Sequence, residues 1–245
     1  MTLKEFEKVK IPVIEIFQSI SGEGITAGNL VSFVRVAGCN LRCTWCDTKY
    51  SFPETGPGVK DMLPREILEE LIELGSTEVI CTGGEPLEPG KAKRYLPAYL
   101  AANDFSVVIE TDGAVPVYSA GETDSFDIDL SDISYCMDIK CPGSGMSEHN
   151  LLENIIELTG DDELKFVVRD KADLDYALDI IDKYKDYLAD EDIALNFSPV
   201  FGAIQPVEIV DFLKSHTEYF ESNGLWPRLS LQIHKFVWPP HQRGV

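Results

Sequence analysis

A chain of 245 residues with 44% hydrophobic content can bury a core of its own without disulfide staples, and no apolar run in it approaches membrane-spanning length. A formal charge of −21, from 42 acidic against 21 basic side chains, excludes a generic nucleic-acid binder, which needs a basic stripe against the phosphates. With no secretory h-region at its start, the six cysteines point to reduced thiols in a cytoplasmic protein.

Apolar strand-like runs and amphipathic helical stretches alternate from end to end. Strands are predicted at 13–17, 31–37, 78–82, 106–110, 135–139, 164–168, 193–197 and 229–233, from short runs of branched and aromatic residues. Helices are predicted at 64–74, 91–101, 151–158, 171–187 and 206–216. The first of these has Ile67, Leu68, Leu71 and Ile72 at helical spacing, Pro64 in its first turn and Gly75 just past its end. Residues 52–60, with two prolines and two glycines, read as a loop. Strands alternating with helices imply parallel β-α units in one α/β domain over 1–245, with ligands bound at the strand C-terminal ends.

Chemistry concentrates in 38–50, where Cys39-Asn-Leu-Arg-Cys43-Thr-Trp-Cys46 gives C-x3-C-x2-C. Three thiolates at this spacing can hold three irons of a 4Fe–4S cluster and leave the fourth open for chemistry. A zinc ion completed by Cys81, Cys136, Cys141 or a histidine is the competing use, although no second C-x2-C-like pair exists. Thr82-Gly-Gly-Glu-Pro86 and Glu110-Thr-Asp-Gly113 each follow a predicted strand. Their glycines let backbone approach a ligand, and Glu85 can accept from an ammonium group.

The cysteine run, with Trp45 before its last member, resembles the cluster motif of radical S-adenosylmethionine (SAM) enzymes. The segments Phe17-Gln-Ser-Ile-Ser-Gly-Glu-Gly24, Phe33-Val-Arg-Val-Ala-Gly-Cys39, Cys46-Asp-Thr-Lys-Tyr50, Met137-Asp-Ile-Lys-Cys-Pro-Gly-Ser-Gly145 and Leu231-Gln-Ile-His-Lys235 resemble, in that order, the 7-carboxy-7-deazaguanine synthase family. The resemblance implies an open partial TIM barrel with reduced helices. It implies ring contraction of 6-carboxy-5,6,7,8-tetrahydropterin with loss of ammonia, SAM being regenerated, on the way to deazapurine nucleosides of tRNA.

It further implies Cys39, Cys43 and Cys46 as cluster ligands and Thr48 as a Mg2+ ligand. SAM would meet Trp45, Cys46, Asp47, Gly84, Glu85, Asp138, Ile139, Lys140, Ser198, Pro199, Val200 and Phe201. The pterin would meet Ile20, Ser21, Gly22, Glu23, Arg35, Thr82 and His234, with the Arg35 guanidinium suited to its carboxylate. No catalytic residue is assigned beyond the cluster. A flavodoxin- or ferredoxin-like electron donor and a homodimer are implied as well.

Two departures stand out: Ser21 replaces a glutamine common among relatives, and the chain runs on through Pro239-Pro-His-Gln-Arg-Gly-Val245 where some relatives end. Two rivals remain. One is a glycyl-radical activase, which consumes SAM and needs a groove for a protein; the other is a zinc-stabilised interaction module without catalysis.

Overall fold

The computed structural model describes residues 1–119, 121–128 and 130–245. A nine-stranded sheet runs in the order β3-β1-β2-β4-β5-β6-β7-β8-β9 and does not close. Its strands are β1 (Ile11–Ile20), β2 (Leu30–Val36), β3 (Lys60–Met62), β4 (Glu78–Gly83), β5 (Ser106–Thr111), β6 (Ile133–Ile139), β7 (Glu163–Val168), β8 (Ala194–Pro199) and β9 (Trp226–Leu229). From β2 through β9 every pairing is parallel, whereas β1 runs antiparallel to both β2 and β3. The expected parallel β-α units run from β2 onward; β1 and β2 are instead joined by a nine-residue connection, too short for a crossover helix.

The helices are α1 (Leu3–Phe6), α2 (Pro64–Leu74), α3 (Leu96–Ala101), α4 (Lys171–Asp190), α5 (Pro206–Ser215), α6 (Thr217–Ser222) and α7 (His234–Val237). In α2, Ile67 and Leu71 stand one turn apart and are wholly buried, worth about 1.5–3 kcal/mol each by area removed from water. Glu66 accepts from the Leu63 amide at 2.6 Å at its start, and Gly75 ends it at φ 83°. The α4 helix starts at Asp170, whose carboxylate accepts from the amides of Ala172 and Asp173 at 3.0 and 3.2 Å.

Elsewhere the helical expectation is too generous. Residues 152–157 form 3-10 turns, and 91–101 divides into a 3-10 turn over Ala92–Tyr95 followed by α3. The last strand lies earlier than predicted. Trp226–Leu229 pairs with β8, while 231–233 lead into α7, so His234 and Lys235 open a short helix and do not end a strand.

Alternation along the strands divides the two sheet faces. Val34, Val36, Val79, Cys81, Val107 and Ile109 join the core beneath α2 and α3, while Leu164, Phe166, Leu195 and Phe197 join the one beneath α4 and α5. On the concave face, Val31, Phe33, Ile80, Val108 and Cys136 form a small apolar plug, closed by Phe17 stacked on Phe33 at 4.9 Å between centroids. Two residues further along each of these strands, the same face turns polar.

Candidate active site

The polar continuation of the concave face is Arg35 after Phe33, Thr82 after Ile80, Glu110 after Val108 and Asp138 after Cys136, joined by Lys165 of β7. Register places Arg35 beside Thr82 and Asp138 beside Lys165. Together they floor a cavity of about 590 Å3 at the strand C-terminal ends, a volume usual for small-molecule sites. Its upper wall is the cysteine loop.

That loop is tied down by backbone contacts on three sides. Lys93, 1% exposed, donates to the Ala37 and Gly38 carbonyls at 3.0 and 2.7 Å, fixing the turn before Cys39. Gly84 lies against the same turn. Its amide donates to Val36 and that of Glu85 to Gly38, and a Cβ on Gly84 would stand 1.9 Å from the Gly38 oxygen. On the far side, the Thr44 amide and hydroxyl bond the Ser144 and Gly143 carbonyls at 3.0 and 3.1 Å. Arg42 closes the loop on itself through the carbonyls of Cys39 and Leu41, its guanidinium over the Phe52 ring.

All six cysteines are free thiols; Cys39, Cys43 and Cys46 are half-buried and line the cavity, whereas Cys81, Cys136 and Cys141 are buried, Cys141 touching the cavity wall from within the core. Among the described residues no three His, Cys, Asp or Glu side chains are gathered as ligands of a single metal ion. Three cavity-lining thiols at C-x3-C-x2-C spacing on one loop fit a cluster that engages each through a different iron. Burial pushes the Cys39 thiol up to about 12, with Asp112 adding and the Leu41 amide opposing, and burial raises Cys43 too. Coordination to a metal deprotonates such thiols outright.

The floor is a network of buried charge. Lys165 Nζ lies 3.0 Å from Glu23 Oε1 and 3.2 Å from Asp138 Oδ1, the second a charge contact whose geometry makes no hydrogen bond. Asp138 Oδ2 accepts from Lys140. Burial would raise the Asp138 carboxyl, but Lys140 and Lys165 outweigh it and hold it below 3.8. For Glu23 burial wins: its carboxyl is raised despite Lys165, with Glu110 and Asp138 adding repulsion, and its Oε2 has no hydrogen-bond partner. Nearer the mouth, Lys235 pairs with Asp47 at 2.9 Å and holds that carboxyl below 3.8 against the effect of burial.

Of the residues expected to meet SAM, Trp45, Cys46, Asp47, Gly84, Asp138, Ile139, Lys140, Val200 and Phe201 line the cavity. Glu85 does not. It is wholly buried and accepts from the Leu87 and Asp112 amides and the Thr111 hydroxyl at 2.7, 2.7 and 3.0 Å, so it braces the Gly83-Gly84 turn against the end of β5. Ser198 and Pro199 are buried within β8 and stay outside the cavity wall.

On the substrate side Glu23, Arg35 and Thr82 line the cavity; Ile20, Ser21, Gly22 and His234 do not. Ser21 turns its hydroxyl to Thr26 Oγ1 and the Glu23 carbonyl at 2.8 and 3.2 Å. His234 packs on Gly22 so closely that a Cβ there would meet its Nδ1 at 2.3 Å. Arg35 Nε donates to Glu15 at 2.7 Å, leaving the other guanidinium nitrogens toward the cavity. Thr48 lines the cavity with its hydroxyl 3.5 Å from Cys46 Sγ.

Sequence reasoning missed Lys165, Gln232, Tyr50, His241 and Arg243, all cavity-lining. Lys165 left a trace: a lysine inside the apolar run Leu-Lys-Phe-Val-Val must pair with something if the strand is buried. The tail showed only as an extension past the end of some relatives, with nothing to say which of its groups reaches the cavity.

A cysteine triad on a wall above parallel strand ends defines a radical SAM architecture, and the radical SAM superfamily model matches residues 33–127. The fold is similar to the crystal structure of QueE from Escherichia coli (TM-score 0.64, 21% identity, 91% of this chain and 93% of that one). It is also similar to Streptococcus suis SuiB bound to S-adenosylmethionine (TM-score 0.51, 12% identity, 79% of this chain and 44% of that one). Over 233 residues the chain is 37% identical to 7-carboxy-7-deazaguanine synthase of Clostridium acetobutylicum, covering 95% of this chain and 98% of the relative. It is likewise 37% identical over 229 residues to that of Methanospirillum hungatei, covering 93% and 86%. The chain belongs to the 7-carboxy-7-deazaguanine synthase family.

Proposed function

We propose that this chain converts 6-carboxy-5,6,7,8-tetrahydropterin into 7-carboxy-7-deazaguanine with loss of ammonia, as a radical SAM lyase that supplies precursor for deazapurine nucleosides of tRNA. The observation that carries the reading is the convergence of Cys39, Cys43 and Cys46 on the cavity that also holds Glu23, Arg35 and Thr82. When bound, a 4Fe–4S cluster and SAM supply a one-electron cleavage and a hydrogen-abstracting radical. Everything else falls to the chain.

The Trp45–Asp47 backbone, Gly84, the Asp138–Lys140 segment and Val200–Phe201 border SAM; Ser198 and Pro199 support the last of these from within β8. Glu23, with a free carboxylate oxygen, accepts from N–H donors of the pterin. Arg35 offers its unused nitrogens to the carboxylate. Ile20, Ser21 and Gly22 shape the loop that holds Glu23 in place, and His234 packs beneath it. Glu85 serves by keeping Gly84 in position.

Thr48 is the Mg2+ ligand of this reading: its hydroxyl bonds no backbone group and faces the cavity, as suits a hard cation that keeps most of its waters. Replacing it (Thr48→Ala) lowers turnover and abolishes the response to added Mg2+ while the iron content stays that of wild type. A Thr48→Ala enzyme still stimulated by Mg2+ would remove the residue from metal binding. We further infer a single domain in a reducing cytoplasm, consistent with six free thiols, acting as a homodimer and drawing electrons from a flavodoxin- or ferredoxin-like protein.

The test is anaerobic reconstitution followed by incubation with dithionite, SAM, Mg2+ and 6-carboxytetrahydropterin. Mass spectrometry should find 7-carboxy-7-deazaguanine with SAM retained. Zinc in place of iron and sulfide, or SAM consumed stoichiometrically without product, would overturn the reading.

A further inference from the structure

Residues after α7 fold back over the cavity mouth, and Pro240, His241 and Arg243 contribute to its lining. A turn between Pro239 and Gln242 (amide to carbonyl, 2.9 Å) redirects the chain, and the Arg243 guanidinium then stacks 3.6 Å from the centroid of the Tyr50 ring. Stacking of this kind fixes the plane of a guanidinium while leaving its N–H groups free along the edge.

The cations around the cavity are otherwise occupied. Lys165 is held by Glu23 and Asp138, Lys140 by Asp138 and Lys235 by Asp47, while Lys49 turns to the Thr44 carbonyl. Arg35 gives Nε to Glu15 and keeps its remaining nitrogens. Among the described residues Arg243 alone of these groups has neither a carboxylate partner nor a hydrogen bond. Tyr50 links it to Arg35: its ring carries Arg243, and its hydroxyl donates at 3.0 Å to the same Glu15 oxygen that holds Arg35. Two guanidinium groups with uncommitted N–H donors therefore flank one tyrosine at one end of the cavity. An anion entering at that end would meet donors from both, Arg243 from its exposed position on the tail and Arg35 from within β2.

The geometry points to Arg243 as a substrate-specificity residue that, with the free nitrogens of Arg35, clamps the carboxylate of the pterin from the C-terminal tail. This rests on the pterin reading above and extends it to a segment outside the shared motifs. The SAM carboxylate is the competing anion, and the experiment separates the two.

Binding of 6-carboxypterin and of pterin lacking the carboxylate is measured by their own fluorescence, on the reconstituted holoenzyme with SAM present. Wild type prefers the carboxylated ligand. A charge-assisted pair lost from the site makes Arg243→Ala bind 6-carboxypterin roughly 10- to 100-fold more weakly, with pterin affinity unchanged. The KM for 6-carboxytetrahydropterin rises alongside, kcat and SAM affinity hold, and Arg243→Lys recovers part of the loss. Equal weakening of both pterins, an unchanged preference, or loss confined to SAM would each overturn the assignment. A wild type that turns over the substrate separates those outcomes from failure of the pterin reading; a wild type that binds neither pterin overturns both.

Discussion

The cysteine loop and the charged floor beneath it face each other across one cavity and are built by opposite means. The loop is irregular backbone, held by carbonyls and amides of Gly38, Thr44, Gly143 and Ser144 and by the buried Lys93 ammonium. Its reactive side chains take almost no part in holding it. The floor is regular parallel strand, where Glu110 and Asp138 have fixed positions because Val108 and Cys136, two residues back, belong to the apolar plug, and Lys165 is set beside Asp138 by strand register. There the functional side chains are part of what holds the place together, since each buried charge is tolerable only beside its counterion. Changes in the loop should therefore cost chemistry without fold, and changes in the floor should cost fold first.

The largest effect expected is Cys43→Ala. Iron and sulfide fall well below the roughly four irons per chain of a complete cluster, and product formation drops to background. The far-UV circular dichroism and the urea midpoint of the unreconstituted protein stay those of wild type. A shifted midpoint would mean that this thiol also carries structure, and the contrast would fail.

Lys165→Met is the matching change in the floor. Among the described residues Glu23 loses its one ion-pair partner and Asp138 one of two, which for a buried pair broken on one side costs about 3–5 kcal/mol. Urea unfolding measures it directly. Adding Glu23→Gln removes the stranded charge and should return a good part of the stability without restoring activity. If the double variant is no more stable than Lys165→Met alone, the lysine's contribution is packing and not charge.

The division also explains what could be read without coordinates. The cysteine spacing, Thr82-Gly-Gly-Glu and the β-α alternation are local patterns, so the sheet, α2 and the loop's place above the strand ends were legible. Glu85 was legible as a residue and not as a role. An acceptor beside two glycines reads as a ligand contact, and only the approach of Leu87, Thr111 and Asp112 reveals it as a brace. Lys165 reaches a partner 142 positions away, and Arg243 meets Tyr50 across nearly 200, separations no periodicity can report. The antiparallel start and the 3-10 turns at 152–157 likewise depend on tertiary pairing that overrides local preference. Gly84→Ala tests the legible part: with a Cβ 1.9 Å from the Gly38 oxygen and no mobile side chain to yield, the two loops must separate. Overpacking of this kind costs about 1–3 kcal/mol and should also lower cluster occupancy, because the displaced turn carries Cys39. Full cluster content in this variant would show that the loop finds its place without Gly84.

The smallest effect lies outside the cavity, at His234 where it packs on Gly22. Burial holds its imidazole below 6.5; Lys235 and Arg35 act the same way, while Glu23 and Asp47 oppose them. The unfolded chain then binds a proton at a pH where the folded chain does not, so this histidine's contribution is full above 6.5 and is lost as pH falls through that value toward the folded one. Glu23 and Glu163, both raised by burial, run the other way, because the folded state takes up their protons first and gains stability on acidification. The net curve of wild type hides the histidine. The difference between wild type and His234→Gln isolates it: between about pH 7 and about pH 5 the variant should lose less stability than wild type. Parallel curves would place the imidazole in solvent and loosen its contact with Gly22, and with it the support proposed for the Glu23 loop.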